Sequence, residues 1–362
     1  MQCNMRIINR GVAQLQYWAL ALVLLFSPLS FAQKTDNAVI LLYHHVAENT
    51  PASTSISPEQ FRQHMAFIKE NYTVAPLKNV VETLKNKQPL PDRTLVITFD
   101  DGYDDILKNA HPILEEYGFP YTVFINPAQI GRQSHQLTWK EVNAMQKQGA
   151  TFANHTQDHL HMLAKNADES EAKWLSRVWQ NVEEAEAMLK EKTGKSLKYL
   201  AYPFGEFNTM LAEKLKEEGY TGFGQHSGGV SHYSDFTALP RFPAAGPYAK
   251  LDSLKTKLDS LAMPVSSTTL SNPQQKQRTL TQPIAFTVAV DDVDLNRAAC
   301  FYQGDRIKHS AEGKTLSYEI SKKLPVGRSR VNCTAPSQSE NGRYYWYSQP
   351  FFVTDKNGNY PD

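Results

Sequence analysis

Cysteine is scarce in this chain, three in 362 residues, and none has a neighbour at metal-ligand spacing. That excludes a disulfide-dense scaffold and a zinc module built on thiolates. An excess of one charge is missing as well. Lys and Arg number 38 against 37 Asp and Glu, so the chain lacks the clustered basic footprint that nucleic acid demands. Long apolar runs are also absent. The best one, residues 18–26, is shorter than the ~20 residues a spanning helix needs, and Pro28 closes it. No internal repeat is visible. What is present is 41% hydrophobic and 21% charged residues, enough to bury a sizeable core and too apolar for a disordered chain. The length suits one large domain with a smaller one.

The N-terminus carries an address. Arg6 and Arg10 precede the apolar run, and Ser30-Phe31-Ala32 follows it with small residues at the −3 and −1 positions. Those are the parts of a cleavable secretory signal over residues 1–32, with a periplasmic or secreted product and no membrane span after cleavage. Cys3 leaves with the signal. Cys300 and Cys333 are then expected to pair in an oxidising compartment and staple two strands.

From residue 39 to about 262, short β-branched or aromatic runs alternate with amphipathic helical stretches. Runs 39–43, 95–99, 121–125, 151–154 and 197–202 read as strands. Ser57-Pro58 opens a helix as N-cap and first helical residue, and Thr138 and Glu141 have capping-box spacing. Six or seven such units imply a parallel sheet or barrel. After Pro264 the composition turns to Ser, Thr, Gln and Pro, which reads as a linker over 264–283. Short strands broken by turn signals follow, suggesting a small all-β sandwich, immunoglobulin-like, over 284–362.

The chemistry-bearing residues fall at predicted strand ends. Thr98-Phe99-Asp100-Asp101-Gly102-Tyr103 closes one strand, where parallel α/β proteins place catalytic groups. Alone, Asp-Asp-Gly reads first as a turn and helix cap. His155-Thr156-Gln157-Asp158-His159 follows another strand. On a helical turn its two imidazoles, four residues apart, would share one side. Alone, they read equally as a solvated cluster or a capped loop. With Asp101, they supply the two-His, one-carboxylate set of a catalytic zinc with an open position.

Together, and in this order, residues 98–103 and 155–159 resemble the polysaccharide deacetylase family with the nodulation-type catalytic domain. Leu42-Tyr43-His44-His45-Val46 is similar to the opening strand of exported poly-N-acetylglucosamine deacetylases, and Tyr202-Pro203-Phe204-Gly205 resembles the third family motif. The resemblance covers roughly residues 39–262. It implies a distorted (β/α)7 barrel over 33–263 and a divalent metal, usually zinc, held by Asp101, His155 and His159. It also implies Asp100 as general base, a possible oxyanion donor in the Phe204 N–H, and an acetylated polysaccharide as substrate.

The chain departs from the family pattern twice. Ala201 stands where many members carry an arginine that orients the base; Arg241 is a candidate replacement, the alternative being a surface salt bridge. The late histidine that many members use as general acid has no clear counterpart, leaving His226 as the candidate and His44 as a pocket-lining residue. Tyr103, Trp139, Tyr202 and Phe204 are candidates to pack against sugar rings. In the C-terminal domain, residues 344–347 are expected to pack on the barrel or to meet a partner protein. An O-acetyl esterase acting on xylan-like glycan and a non-catalytic glycan-binding protein are the rival readings.

Overall fold

Strands β1 (Ala38–Tyr43) and β2 (Thr94–Phe99) are buried at every position, as strands covered on both faces must be. They pair in parallel with Val39 opposite Leu95 and Tyr43 opposite Phe99. In this computed structural model, which describes residues 1–2 and 34–361, β3 (Tyr121–Ile125), β4 (Thr151–Asn154), β5 (Tyr199–Ala201) and β6 (Thr221–Phe223) extend the sheet in sequence order. Beyond a short antiparallel strand, β7 (Gly229–Val230), the chain returns as β8 (Phe242–Pro243), which pairs in parallel with β1. Leu239, just before it, bridges Phe223 of β6 in parallel. The segment 239–243 thus lies between the first and last strands and curls the sheet into a barrel. The signal expected over residues 1–32 falls outside the described residues, apart from Met1 and Gln2. Among those described, no helix is long and apolar enough to cross a membrane.

The helices follow their local signals. Helix α1 (Pro58–Asn71) is capped by Ser57, whose hydroxyl accepts the Gln60 N–H, and buries Phe61, Met65 and Ile68. After Asp105 the chain forms a wide turn, Ile106–Ala110, before α2 (His111–Tyr117). Pro112 lacks an N–H and crowds the carbonyl four residues back, which loosens that turn. Helix α3 (Trp139–Lys147) carries the complete Thr138–Glu141 capping box.

The expected linker over 264–283 needs correction. Residues 265–268 form a strand, β10, that pairs antiparallel with β11 (Ile284–Val288). Its Ser- and Thr-rich run has the composition of a linker because its side chains are exposed or half-buried. The remainder is irregular but packed: Leu270 and Leu280 lie against the C-terminal core, and the backbones of Pro273 and Gln275 bond Phe352. The strand just before, β9 (Leu261–Ala262), pairs with the final strand. Residues 33–362 accordingly form one compact unit.

The C-terminal region consists of two sheets around one core. Strands β12 (Ala299–Tyr302), β13 (Asp305–Arg306), β16 (Gly327–Pro336) and β17 (Tyr344–Val353) join β9 in one sheet, while β14 (His309–Glu312) and β15 (Thr315–Tyr318) join β10 and β11 in the other. Phe286 and Leu316 from one sheet meet Val331 and Phe351 from the other. Cys300 and Cys333 sit directly opposite each other and form the expected disulfide. Closing a loop of 33 residues, it stabilises the fold by roughly 3–4 kcal/mol in the loop-entropy account. Trp346 of β17 packs edge-on against Phe242 of β8, 5.2 Å between ring centres, so this region meets the barrel as was expected of the 344–347 strand.

Candidate active site

The sequence motifs converge at the C-terminal ends of the parallel strands. Asp100 continues β2, its N–H bonded to the Tyr43 carbonyl at 3.0 Å, and its carboxylate turns inward. There Arg241 meets it with two parallel hydrogen bonds of 2.7 and 2.8 Å. Both side chains are wholly buried. The guanidinium is itself held by the Gly224 carbonyl at 2.9 Å and by the Phe124 ring, 5.2 Å from its centre. Burial alone would raise the Asp100 pKa, but the charge and hydrogen bonds of Arg241 together with the charges of His155 and His44 outweigh it and hold the carboxylate ionised.

Asp101 leaves in another direction because its backbone is left-handed, with φ of 73°. Gly102 follows with φ of 74°, and a Cβ there would lie 2.7 Å from Ile125 Cγ2, so only glycine fits. The Asp101 Oδ1 stands 3.3 Å from His155 Nε2 and 3.4 Å from His159 Nε2. The Nδ1–H of His155 donates to the Ala201 carbonyl at 2.8 Å, which fixes the tautomer and leaves the Nε2 lone pair aimed at Asp101.

The two histidines do not share a helical turn, contrary to the reading of their spacing. Thr156 and His159 both have positive φ, 65° and 63°. Asn154 accepts the Thr156 N–H at 2.8 Å, Thr156 Oγ1 accepts the His159 N–H at 3.1 Å, and the Asn126 amide donates to the His155 and Thr156 carbonyls. A left-handed β-branched residue is costly, and this web of bonds holds it. Neither asparagine was singled out in the sequence, where a single buried amide has no local pattern.

The donor set fits a divalent cation. Asp101, His155 and His159 each present one ligand atom, all within 4.8 Å of one another. Buried polar atoms are almost always hydrogen-bonded, yet Asp101 Oδ1 and His155 Nε2 have no such partner among the described residues. Burial is the chief cause that lowers the His159 pKa to about 4, keeping the neutral form that ligation requires. Side-chain exposure rises from 0% at His155 through 13% at Asp101 to 28% at His159. The cluster is therefore open on one side.

The other candidates separate. His44 is half-buried, and burial lowers its pKa while the charges of Asp101 and Asp100 oppose that shift. His226 is flanked instead by Arg330 and Arg241, and burial and those two charges lower its pKa to about 3. Tyr103 stacks on His45 at 3.7 Å, and His45 in turn bonds Asp105 at 2.7 Å. Phe204, at φ of 57°, packs its ring edge-on to His159 at 4.6 Å and flat on His161 at 3.9 Å. One aromatic expectation is corrected. Tyr202 is fully buried, with its hydroxyl on the Thr237 carbonyl at 2.8 Å, and no sugar can reach it. Trp139 packs against the barrel core.

A cleft of 580 Å³ adjoins this centre. His44, Phe204, Gln225 and His226 line it from the barrel, and Arg328, Arg330 and Asn332 line it from the C-terminal region.

Residues 87–223 match the family model Polysaccharide deacetylase. The poly-beta-1,6-N-acetyl-D-glucosamine N-deacetylase of Staphylococcus aureus (strain MSSA476) is 30% identical over 238 residues, 59% of this chain and 81% of that one. Among solved structures, the deacetylase PplD of Streptococcus pyogenes superposes with a TM-score of 0.55 at 22% identity, covering 61% of this chain and 98% of that one. IcaB from Ammonifex degensii gives 0.52 at 23%, covering 60% and 96%. At those identities the two structures speak to the fold. With the barrel, the Asp/His/His cluster and a relative at this level of identity all in hand, this chain belongs to the polysaccharide deacetylase family.

Proposed function

We propose that this protein hydrolyses N-acetyl groups on an amino-sugar polysaccharide outside the cytoplasm, using a divalent metal held by Asp101, His155 and His159. Zinc suits two imidazoles and a carboxylate. The observation that carries the reading is the converging, unpartnered pair Asp101 Oδ1 and His155 Nε2 beside a carboxylate that Arg241 keeps ionised.

When bound, the metal supplies Lewis-acid polarisation of the acetamide carbonyl and activation of water. The chain's own residues handle protons and positions. Asp100 accepts the proton of the attacking water, and Arg241 holds its carboxylate in one orientation. His44, on which the charges of both carboxylates act, returns a proton to the departing sugar nitrogen. Phe204 braces His159 and bounds the place where the acetylated sugar rests. The name of the S. aureus relative supports a β-1,6-linked N-acetylglucosamine polymer as the first substrate to try. Export is supported by the signal-like N-terminus and by the disulfide.

Acetate release from N-acetylglucosamine oligomers is expected to stop with a chelator and return with zinc. Release from acetylated xylan but not from these oligomers would replace the reading with an O-acetyl esterase, and silence on both would favour a glycan-binding protein. Within the same assay, His44→Gln is expected to lower turnover by about 10²-fold or more, the ordinary range for a proton-transfer group, and His226→Gln to change it little. A larger loss for His226→Gln with zinc content intact would reverse the two roles.

A further inference from the structure

Strand β16 alternates in the way its pleat requires. Val331, Cys333 and Ala335 enter the core of the C-terminal region, so Arg328, Arg330 and Asn332 share the opposite face, and all three line the cleft beside the metal centre. Among the described residues lining that cleft are two arginines and two histidines but no carboxylate. Its rim with the catalytic centre is Phe204, whose ring touches His159. A sugar next to the one being deacetylated would lie here.

The two arginines are placed differently. Arg328 donates to the Phe204 carbonyl at 2.8 Å and to Gln225 Oε1 at 2.7 Å, which ties the catalytic loop to the C-terminal region. Arg330 is half-buried and makes only long contacts to neutral groups, 3.5 Å to the Gln225 carbonyl and 3.4 Å to the Tyr248 hydroxyl. No carboxylate pairs with it among the described residues. The amide oxygen of Asn332 is taken by the Ser348 hydroxyl at 2.6 Å, so the polar group Asn332 presents to the cleft is a donor. The positive field is felt nearby: burial and Arg330 together lower the Lys257 pKa to about 8. A half-buried guanidinium without a counter-charge, beside a second donor, matches a planar anion that accepts two hydrogen bonds.

We propose that Arg330 and Asn332 bind a carboxylate carried by the sugar adjacent to the acetylated one, so that the C-terminal region selects an acidic acetamido-glycan. This rests on the deacetylase reading for the position of the acetylated sugar, but the carboxylate site can be tested by binding alone. It assigns the C-terminal region to the glycan and not to a partner protein.

The experiment compares two oligosaccharides of equal length by calorimetry on the purified, disulfide-intact protein: one of N-acetylglucosamine alone, one alternating N-acetylglucosamine with glucuronic acid. Acetate release is measured in parallel. Wild type is expected to bind the acidic oligomer about tenfold more tightly, with the preference shrinking as salt is raised. Arg330→Gln is expected to abolish the preference while affinity for the neutral oligomer stays, and Arg330→Lys to retain part of it. Equal affinity for both oligomers in wild type, or a preference that survives in Arg330→Gln, would overturn the proposal. An Arg330-dependent preference without acetate release from either oligomer would uphold the carboxylate site and remove the deacetylase reading. Release from the neutral oligomer without any preference would do the reverse.

Discussion

Asp100→Asn is expected to lower acetate release by about 10²–10⁴-fold, the range that a positioned general base contributes, while the protein still binds one zinc. The substitution keeps the shape of the side chain and removes its ability to take a proton. Metal content is the informative companion measurement, because Asp101, His155 and His159 are untouched and left-handed Asp101 already points away from Asp100. Loss of zinc together with activity would mean that Asp100 belongs to the metal site. Near-normal activity with zinc bound would remove it as the base.

Arg241→Met is expected to have the second large effect, and on two observables. The pair it breaks is wholly buried on both sides, and removing one partner of such a pair costs about 3–5 kcal/mol because the other charge is left uncompensated. Turnover should fall as well. With the cation gone, burial is opposed only by His155 and His44, the Asp100 pKa rises, and the ascending limb of the pH–rate profile moves to higher pH. A thermodynamic cycle separates pairing from catalysis. The double variant Asp100→Asn/Arg241→Met should recover a substantial part of the lost stability, since neither charge is then stranded, yet remain inactive. If Arg241→Met melts like wild type and keeps its pH profile, the two side chains do not depend on each other in solution.

The alternating pattern that announced a barrel was legible because parallel strands buried on both faces need unbroken apolar runs, and β1 and β2 supply them. Helix starts were legible for a local reason too: Ser57 and Thr138 satisfy N–H groups within three residues of themselves. The linker was misread where composition and pairing disagree, since Val265-Ser266-Ser267-Thr268 looks like a linker until its partner strand is known. Tyr202 was misread because a motif position says nothing about burial. The histidine spacing pointed to a shared metal but through the wrong backbone, a left-handed turn held by Asn126 and Asn154 in place of a helix.

By itself the sequence determined the family and the candidate ligands and base, because Asp100, Asp101, His155 and His159 lie in two short motifs at strand ends, each readable within a few residues. Only the tertiary structure decided between the two readings of Arg241, placing it against Asp100, 141 residues away, and not in a surface salt bridge, and showed that Arg328 and Arg330 line the adjoining cleft. Both depend on where the sheet closes and where β17 meets the barrel. Such long-range contacts follow from the packing of whole elements, and no local pattern in the chain encodes them.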